Sequence, residues 1–160
     1  AQYTSITLLH NGISTFPGDL PMGGGSFTDS LAQQLNVGIE AAEAFKMTGL
    51  LEGKKGINLE STLQPTSDEL AEEIRRTVSL YGAVPSEEGD GLKTIYLSGG
   101  GAKLIGLRAL LEERMGVPVR LSEPFRGFNV NKNIDRDYLL ESAPYFAVGA
   151  GLSIRRPADK

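Results

Sequence analysis

The sequence predicts an α/β fold, and three observations carry the prediction. A strand-favouring run at the start, Tyr3 to His10, is followed at once by Asn11-Gly12, a strong hairpin signal. Further on, the stretch Leu92 to Leu97, with Ile95, Tyr96 and Leu97 contiguous and β-favouring, leads into Ser98-Gly99-Gly100-Gly101, a helical stretch and then Val117 to Leu121, which is the order of a βαβ unit in a parallel sheet. Between these two regions lie stretches whose apolar residues recur at helical spacing.

Each element has its own warrant. The hairpin's return strand is expected over Ile13 to Phe16, with a turn at Pro17-Gly18 and a short Leu20-Pro21-Met22 lead into Gly23-Gly24-Gly25. Ser26 with Asp29 three residues on resembles a capping box, so a helix should start there with Phe27, Leu31 and Leu35 on one side. A second helix is expected from Ile39 to Met47, stopped by Gly49. Residues 49 to 65 read as loop, and Pro65 with the polar residues after it reads as the start of a third helix. That helix carries Leu70, Ile74, Val78 and Tyr81 on one face, pairs Glu72 with Arg76, and should end near Gly82. Ser86 to Gly91 is an expected exposed linker. After the strand that ends at Leu97, a helix should open near Ala102, bury Leu104, Leu107, Leu111 and Met115, and close at Gly116. Residues 122 to 137 read as loop. The last expected element is a helix capped by Ser142, with Pro144 in its first turn and Tyr145, Val148 and Leu152 as apolar positions.

Composition narrows the function classes. The chain has 160 residues and 20 glycines, roughly twice the usual share of about 7%, but they fall in short sets between ordinary apolar stretches, which excludes a collagen-like or low-complexity reading. Sixteen basic against 20 acidic residues give a net charge of −4 with no basic block, and this argues against a nucleic-acid partner. No apolar run approaches the roughly 20 residues of a membrane-spanning helix, so no direct membrane insertion is expected. Cysteine is absent, which removes thiol catalysis and disulfides, and the single histidine, His10, rules out a multi-histidine metal site. His10 lies in the alternating first strand and reads as a sheet residue. Because that strand begins so near Ala1, the chain is expected to be part of a longer one.

The glycine sets are the chemical signal. Ser98-Gly99-Gly100-Gly101-Ala102-Lys103 sits between a buried strand and a helix, where open α/β sheets bind ligands, and residues without Cβ atoms let backbone amides approach a flat base or a phosphate. A ligand-free tight turn is the alternative. The spacing fits neither the GxGxxG fingerprint, since Leu104 stands at its third glycine, nor the P-loop. Gly23-Gly24-Gly25 ahead of a helix is a second place where backbone could approach a phosphate, or simply a turn. Glu43 and Lys46 share a helix face and could reach one polar ligand together; an exposed ion pair is the plain alternative.

Taken in order, Gly24-Gly25-Ser26-Phe27-Thr28, Ala42-Glu43-Ala44-Phe45-Lys46 and Leu97-Ser98-Gly99-Gly100-Gly101-Ala102 resemble the second half of the actin/Hsp70-like (ribonuclease H-like) ATPase fold. Bacterial members include FtsA and MreB, and the chain resembles above all the PilM family of type IV pilus assembly proteins. The likeness runs over nearly the whole chain, including Pro21-Met22 and Pro124-Phe125. It implies domain II of that fold, with a core from residues 1–24 and 83–160 and a small, mostly helical inserted subdomain over residues 25–82. Domain I would be absent.

The resemblance also implies roles. Gly99, Gly100 and Gly101 would form the adenosine motif with Lys103 close to the base. Glu43 and Lys46 would hold the ribose and adenine side, Gly24 and Gly25 would approach the nucleotide by their backbone, and Gln2 and Tyr3 would belong to the second phosphate loop, whose Asp-x-Gly would lie just before Ala1. ATP with Mg2+ is the implied cofactor. No catalytic residue or metal ligand is expected in this chain, and half of a phosphoryl-transfer clamp should be inactive alone. The implied partners are the cytoplasmic tail of PilN, other pilus machine proteins, domain I of the same chain and a further copy. The implied location is cytoplasmic, peripheral to the inner membrane. A short segment between Lys46 and Pro65, with little strand-forming alternation, argues against the filament-forming relatives. The alternatives are a cytoplasmic domain similar to GspL of type II secretion, an interaction module of the same fold without nucleotide, and a small-molecule kinase.

Overall fold

The computed structural model describes residues 1–54, 56–80 and 91–155. It opens with an antiparallel hairpin of β1 (Thr4–His10) and β2 (Ile13–Leu20). Asn11 and Gly12 both take positive φ, 50° and 79°, as a two-residue turn matched to strand twist requires. β2 does not turn at Pro17-Gly18 as expected. It continues through both residues, with Thr7 opposite Pro17 and Ile6 opposite Gly18, and an irregularity between Leu8 and Leu9 takes up one residue. Proline is tolerated because β2 pairs only with β1 among the described residues and is thus an edge strand.

Three helices follow. α1 (Gly24–Leu35) begins two residues before the expected start, because Gly23 is the cap. Its N–H donates to Ser26 Oγ at 3.3 Å, so Ser26 reaches back from inside the first turn instead of preceding it. α2 (Ile39–Thr48) ends where expected, at Gly49 with φ 71°. α3 (Leu59–Leu80) starts six residues ahead of Pro65. Asn58 supplies the cap, its Oδ1 accepting from the Ser61 N–H at 3.0 Å, and Pro65 lies inside the helix. The proline costs one backbone hydrogen bond, which the burial of Leu59 and Leu63 in the turns before it offsets. The expected end of α3 at Gly82 and linker residues 86–90 lie outside the described residues.

The second half holds the parallel pair β3 (Ile95–Leu97) and β4 (Val119–Leu121), with Ile95 opposite Val119 and Leu97 opposite Leu121. The connecting segment corrects the expectation of one helix from Ala102. A 3-10 turn spans Gly100–Lys103, and only then does α4 (Leu107–Met115) begin, capped by Gly106 and Gly116 with φ of 78° and 67°. The expected loop over 122–137 holds as far as Asp135, which caps α5 (Arg136–Ser142), its carboxylate accepting from the backbone N–H groups of Asp137 and Tyr138. Ser142 closes α5 by donating to the Tyr138 carbonyl, and does not cap the last helix. A 3-10 turn, Ala143–Phe146, and the short α6 (Ala147–Ser153) complete the described chain.

One continuous core joins these parts. Phe27 and Leu31 of α1, Phe45 of α2, and Leu63, Leu70 and Ile74 of α3 pack with Leu107, Leu111 and Met115 of α4 and with Val119 of β4. α3 is the bridge, and it meets α4 and its cap at an ion pair and at one close approach besides. Arg114 donates to Asp68 Oδ1 at 2.7 and 3.0 Å. Gly106 faces Glu60 so closely that an added Cβ would lie 2.9 Å from Glu60 Cγ.

Candidate nucleotide site

A cleft of about 340 Å³ opens where the start of the chain, the cap of α1 and the glycine turn after β3 converge. Tyr3, Gly24, Gly99, Gly100 and Gly101, all expected at a site from the sequence, line it. Phe27, Leu70 and Ile74 form its apolar floor. None of the lining residues carries a charged side chain.

The first glycine set is shaped by close backbone packing. An added Cβ at Gly23 would meet Ala1 O and Tyr3 N at 2.9 Å each, so only glycine fits between α1 and the chain start. Gly25 fixes the same contact, its N–H donating to Ala1 O at 2.8 Å. Gln2 lies in this exposed extended segment and does not line the cleft.

Behind Gly24 the two polar motifs grip each other. Lys46 is buried, and its ammonium donates to Glu43 Oε2 at 2.6 Å, Thr28 Oγ1 at 2.7 Å and Gly24 O at 3.0 Å. Three donors meet three acceptors, so the ammonium is fully used inside the protein. Thr28 in turn hydrogen-bonds Glu43 Oε2 and, at 3.1 Å, Gly24 O. The ammonium and the hydroxyl together hold the Glu43 carboxyl below its usual range, against a smaller opposing effect of burial. Glu43 keeps 51% of its side chain exposed, so a carboxylate is presented at the surface next to the α1 cap. The spacing Gly-Gly-x-x-Thr and Glu-x-x-Lys thus has a local explanation: it brings one carbonyl, one hydroxyl, one carboxylate and one ammonium together and fastens α2 to the first turn of α1.

The second glycine set is held differently. The Pro144 carbonyl accepts from Gly99 N–H at 2.8 Å and from Ser98 Oγ at 3.0 Å, which bolts the glycine turn to the segment before α6. Gly99 has φ 81°, a conformation that needs glycine. An added Cβ at Gly100 would lie 3.2 Å from Tyr145 Cε1, whereas one at Gly101 would meet nothing within 4 Å. Lys103 does not line the cleft. It lies in a neighbouring pocket, its ammonium 5.6 Å from the Tyr145 ring centroid and 3.5 Å from Glu141 Oε1.

Sequence reasoning did not assign Pro144 or Tyr145 to the site. Tyr145 carries the signal of an apolar helix position, and the contact of Ser98 with Pro144 spans 46 residues, beyond any local pattern. Among the described residues no group of three or more His, Asp or Glu side chains could hold a metal ion, and no helix is long and apolar enough to cross a membrane.

Comparison with known proteins bears on the fold and the family. The chain superposes on a solved PilM-PilN type IV pilus biogenesis complex with a TM-score of 0.79 and 29% identity, over 96% of this chain and 43% of that one. It also resembles the ethanolamine utilization protein EutJ from Carboxydothermus hydrogenoformans, with a TM-score of 0.64 and 17% identity over 96% of this chain and 45% of that one, a likeness that speaks for fold alone. The chain therefore spans less than half the length of either solved relative. The fold is an actin-like α/β domain. Since residues 1–157 match the family described as type IV pilus assembly protein PilM, the chain belongs to that family.

Proposed function

We propose that this chain forms one wall of a nucleotide cleft in a pilus assembly protein that acts as a cytoplasmic scaffold at the inner membrane. The observation that carries the reading is the cleft itself, where the backbone of Gly99, Gly100 and Gly101 faces Tyr3 and Gly24 across an apolar floor. A slot of glycine backbone and apolar side chains suits a flat base, whose edges find backbone donors and acceptors and whose faces find carbon. The open space at Gly101 is the kind that a side chain would fill and a ligand can use. These residues therefore fit an adenine nucleotide. When bound, ATP would supply the phosphoryl group and the charge that could mark one state of the scaffold.

This chain's own part in that binding is limited and specific. Gly99 to Gly101 hold the base side, with Lys103 in the pocket behind it, and Tyr3 and Gly24 form the side toward the phosphates, with Gln2 and Gly25 supporting them from outside the lining. The ionised Glu43 is available to accept from ribose hydroxyls, and Lys46 holds Glu43 and Gly24 in position. With no charged side chain in the cleft lining, the lining supplies no clamp on a transferring phosphoryl group, so turnover would need groups outside these residues. Mg2+ would be held by phosphate oxygens and by groups outside the described residues.

The partner follows from the solved relative, which pairs a PilM with a PilN. We carry that pairing to the full-length protein, with the cytoplasmic tail of PilN as the ligand that keeps it at the membrane. Division into a core of 1–24 and 83–160 and an insertion of 25–82 remains the working description of the domain.

Calorimetric titration of ATP into the full-length protein tests the cleft. Wild type should bind, and Gly101→Val, whose Cβ meets no protein atom within 4 Å at a residue that lines the cleft, should bind at least tenfold more weakly. Equal affinity in the two proteins, or no binding by wild type, would leave an interaction module without nucleotide as the better reading.

A further inference from the structure

Tyr145 is the single residue that lines both the glycine cleft and the neighbouring pocket of about 420 Å³ that holds Lys103. Its ring is the partition between them. It is half exposed, its Cε1 edge lies against Gly100, and the Lys103 ammonium stands over it from the pocket side. Its position is not free to drift. The carbonyl of the preceding residue, Pro144, takes the hydrogen bonds from Ser98 and Gly99, so the ring and the glycine turn are set by one joint. Lys103 is itself steered by the Glu141 carbonyl at 3.3 Å and the Glu141 carboxylate.

We propose that Tyr145 is the stacking platform for the base in this cleft, with Lys103 holding the ring from behind. This rests on the nucleotide reading given above. An aromatic ring half exposed at a cleft edge offers an apolar face to a planar ligand at little conformational cost. The cation on the pocket side orients the ring and leaves the cleft side for the ligand. The arrangement also explains Gly100: any larger residue there would push the ring out of its place at the cleft edge. Because every base has a π-face, this platform sets a preference for large planar rings, purines over pyrimidines, and does not read the exocyclic groups.

Titration of the full-length protein with ATP and, separately, with inorganic tripolyphosphate separates the base from the phosphates. Tyr145→Leu, which keeps apolar bulk, should weaken ATP about tenfold, and Tyr145→Phe should restore it, while tripolyphosphate affinity stays the same in all three proteins. A thermal melt without ligand shows whether the leucine variant is folded; if it is not, Lys103→Met is the second arm, expected to weaken ATP severalfold with tripolyphosphate unchanged. ATP affinity equal in wild type and Tyr145→Leu, or a parallel loss for ATP and tripolyphosphate, would overturn the platform while leaving the nucleotide cleft standing. Failure of wild type to bind ATP would overturn both.

Discussion

The two glycine sets look alike in the sequence and are built for different ends. At Gly23 the absence of a Cβ is consumed inside the protein, since backbone atoms of Ala1 and Tyr3 occupy the space at 2.9 Å. At Gly101 nothing occupies it. Gly99 stands between these cases, with open space but a positive φ that disfavours any other residue. A glycine run therefore marks closeness only in the sense that something must come near. Whether that something belongs to the protein or arrives from outside is a property of the neighbours.

The largest effect is expected where the comparison is most one-sided. Gly23→Ala forces backbone against backbone, with no flexible side-chain end to yield, and should cost about 2–3 kcal/mol in urea denaturation. A cost below about 0.5 kcal/mol would mean that the chain start does not pack there in solution. An intermediate effect is expected behind Gly24. Lys46→Met removes the one donor shared by Gly24, Thr28 and Glu43, and should cost about 1–2 kcal/mol, less than a fully buried ion pair because Glu43 is half exposed.

The same clasp predicts a pH dependence. The Glu43 carboxyl is held below its usual range in the folded protein, so its contribution is present above the unfolded carboxylate pKa and is lost as the pH falls through the lower folded one. Wild type should thus lose more stability than Lys46→Met on acidification below the ordinary carboxylate range. Identical acid profiles would show that the ion pair contributes nothing. The smallest effect on stability belongs to Gly101→Ala, within about 0.5 kcal/mol of wild type because the added methyl meets open space. A large loss there would erase the contrast between the two sets.

The features legible from the sequence were those fixed by short-range chemistry. Asn11-Gly12 announced a turn whose positive φ values it readily adopts, and Gly49 and Gly116 ended helices because each takes the left-handed conformation. The βαβ order was also readable, since Ile95 to Leu97 and Val117 to Leu121 are rich in β-favouring residues and glycines stand after the first and before the second. α5 was missed for a physical reason: none of its residues is buried, so no apolar period exists to betray it, and only the Asp135 cap remained as a signal. Pro65 misled because proline favours a first turn without requiring one, and Asn58 with Ser61 carried the true start. At the site, the motif residues were readable as a set. The clasp of Lys46 on Gly24 and the joint of Ser98 on Pro144 were not, because partners 22 and 46 residues apart leave no local pattern.

The two contacts between α3 and α4 have a mechanical consequence. Glu60 meets Gly106 and Asp68 meets Arg114, so the helices advance by equal steps of eight residues, about 12 Å, between one contact and the next and therefore run side by side in the same direction. One of the two is an ion pair and the other a close approach, and together they set the level of α3 against α4. Leu70 and Ile74, which floor the cleft, lie just past the second fastening. A displacement of that floor would therefore shift α4 together with α3, and α1, which packs on α3, would feel it as well.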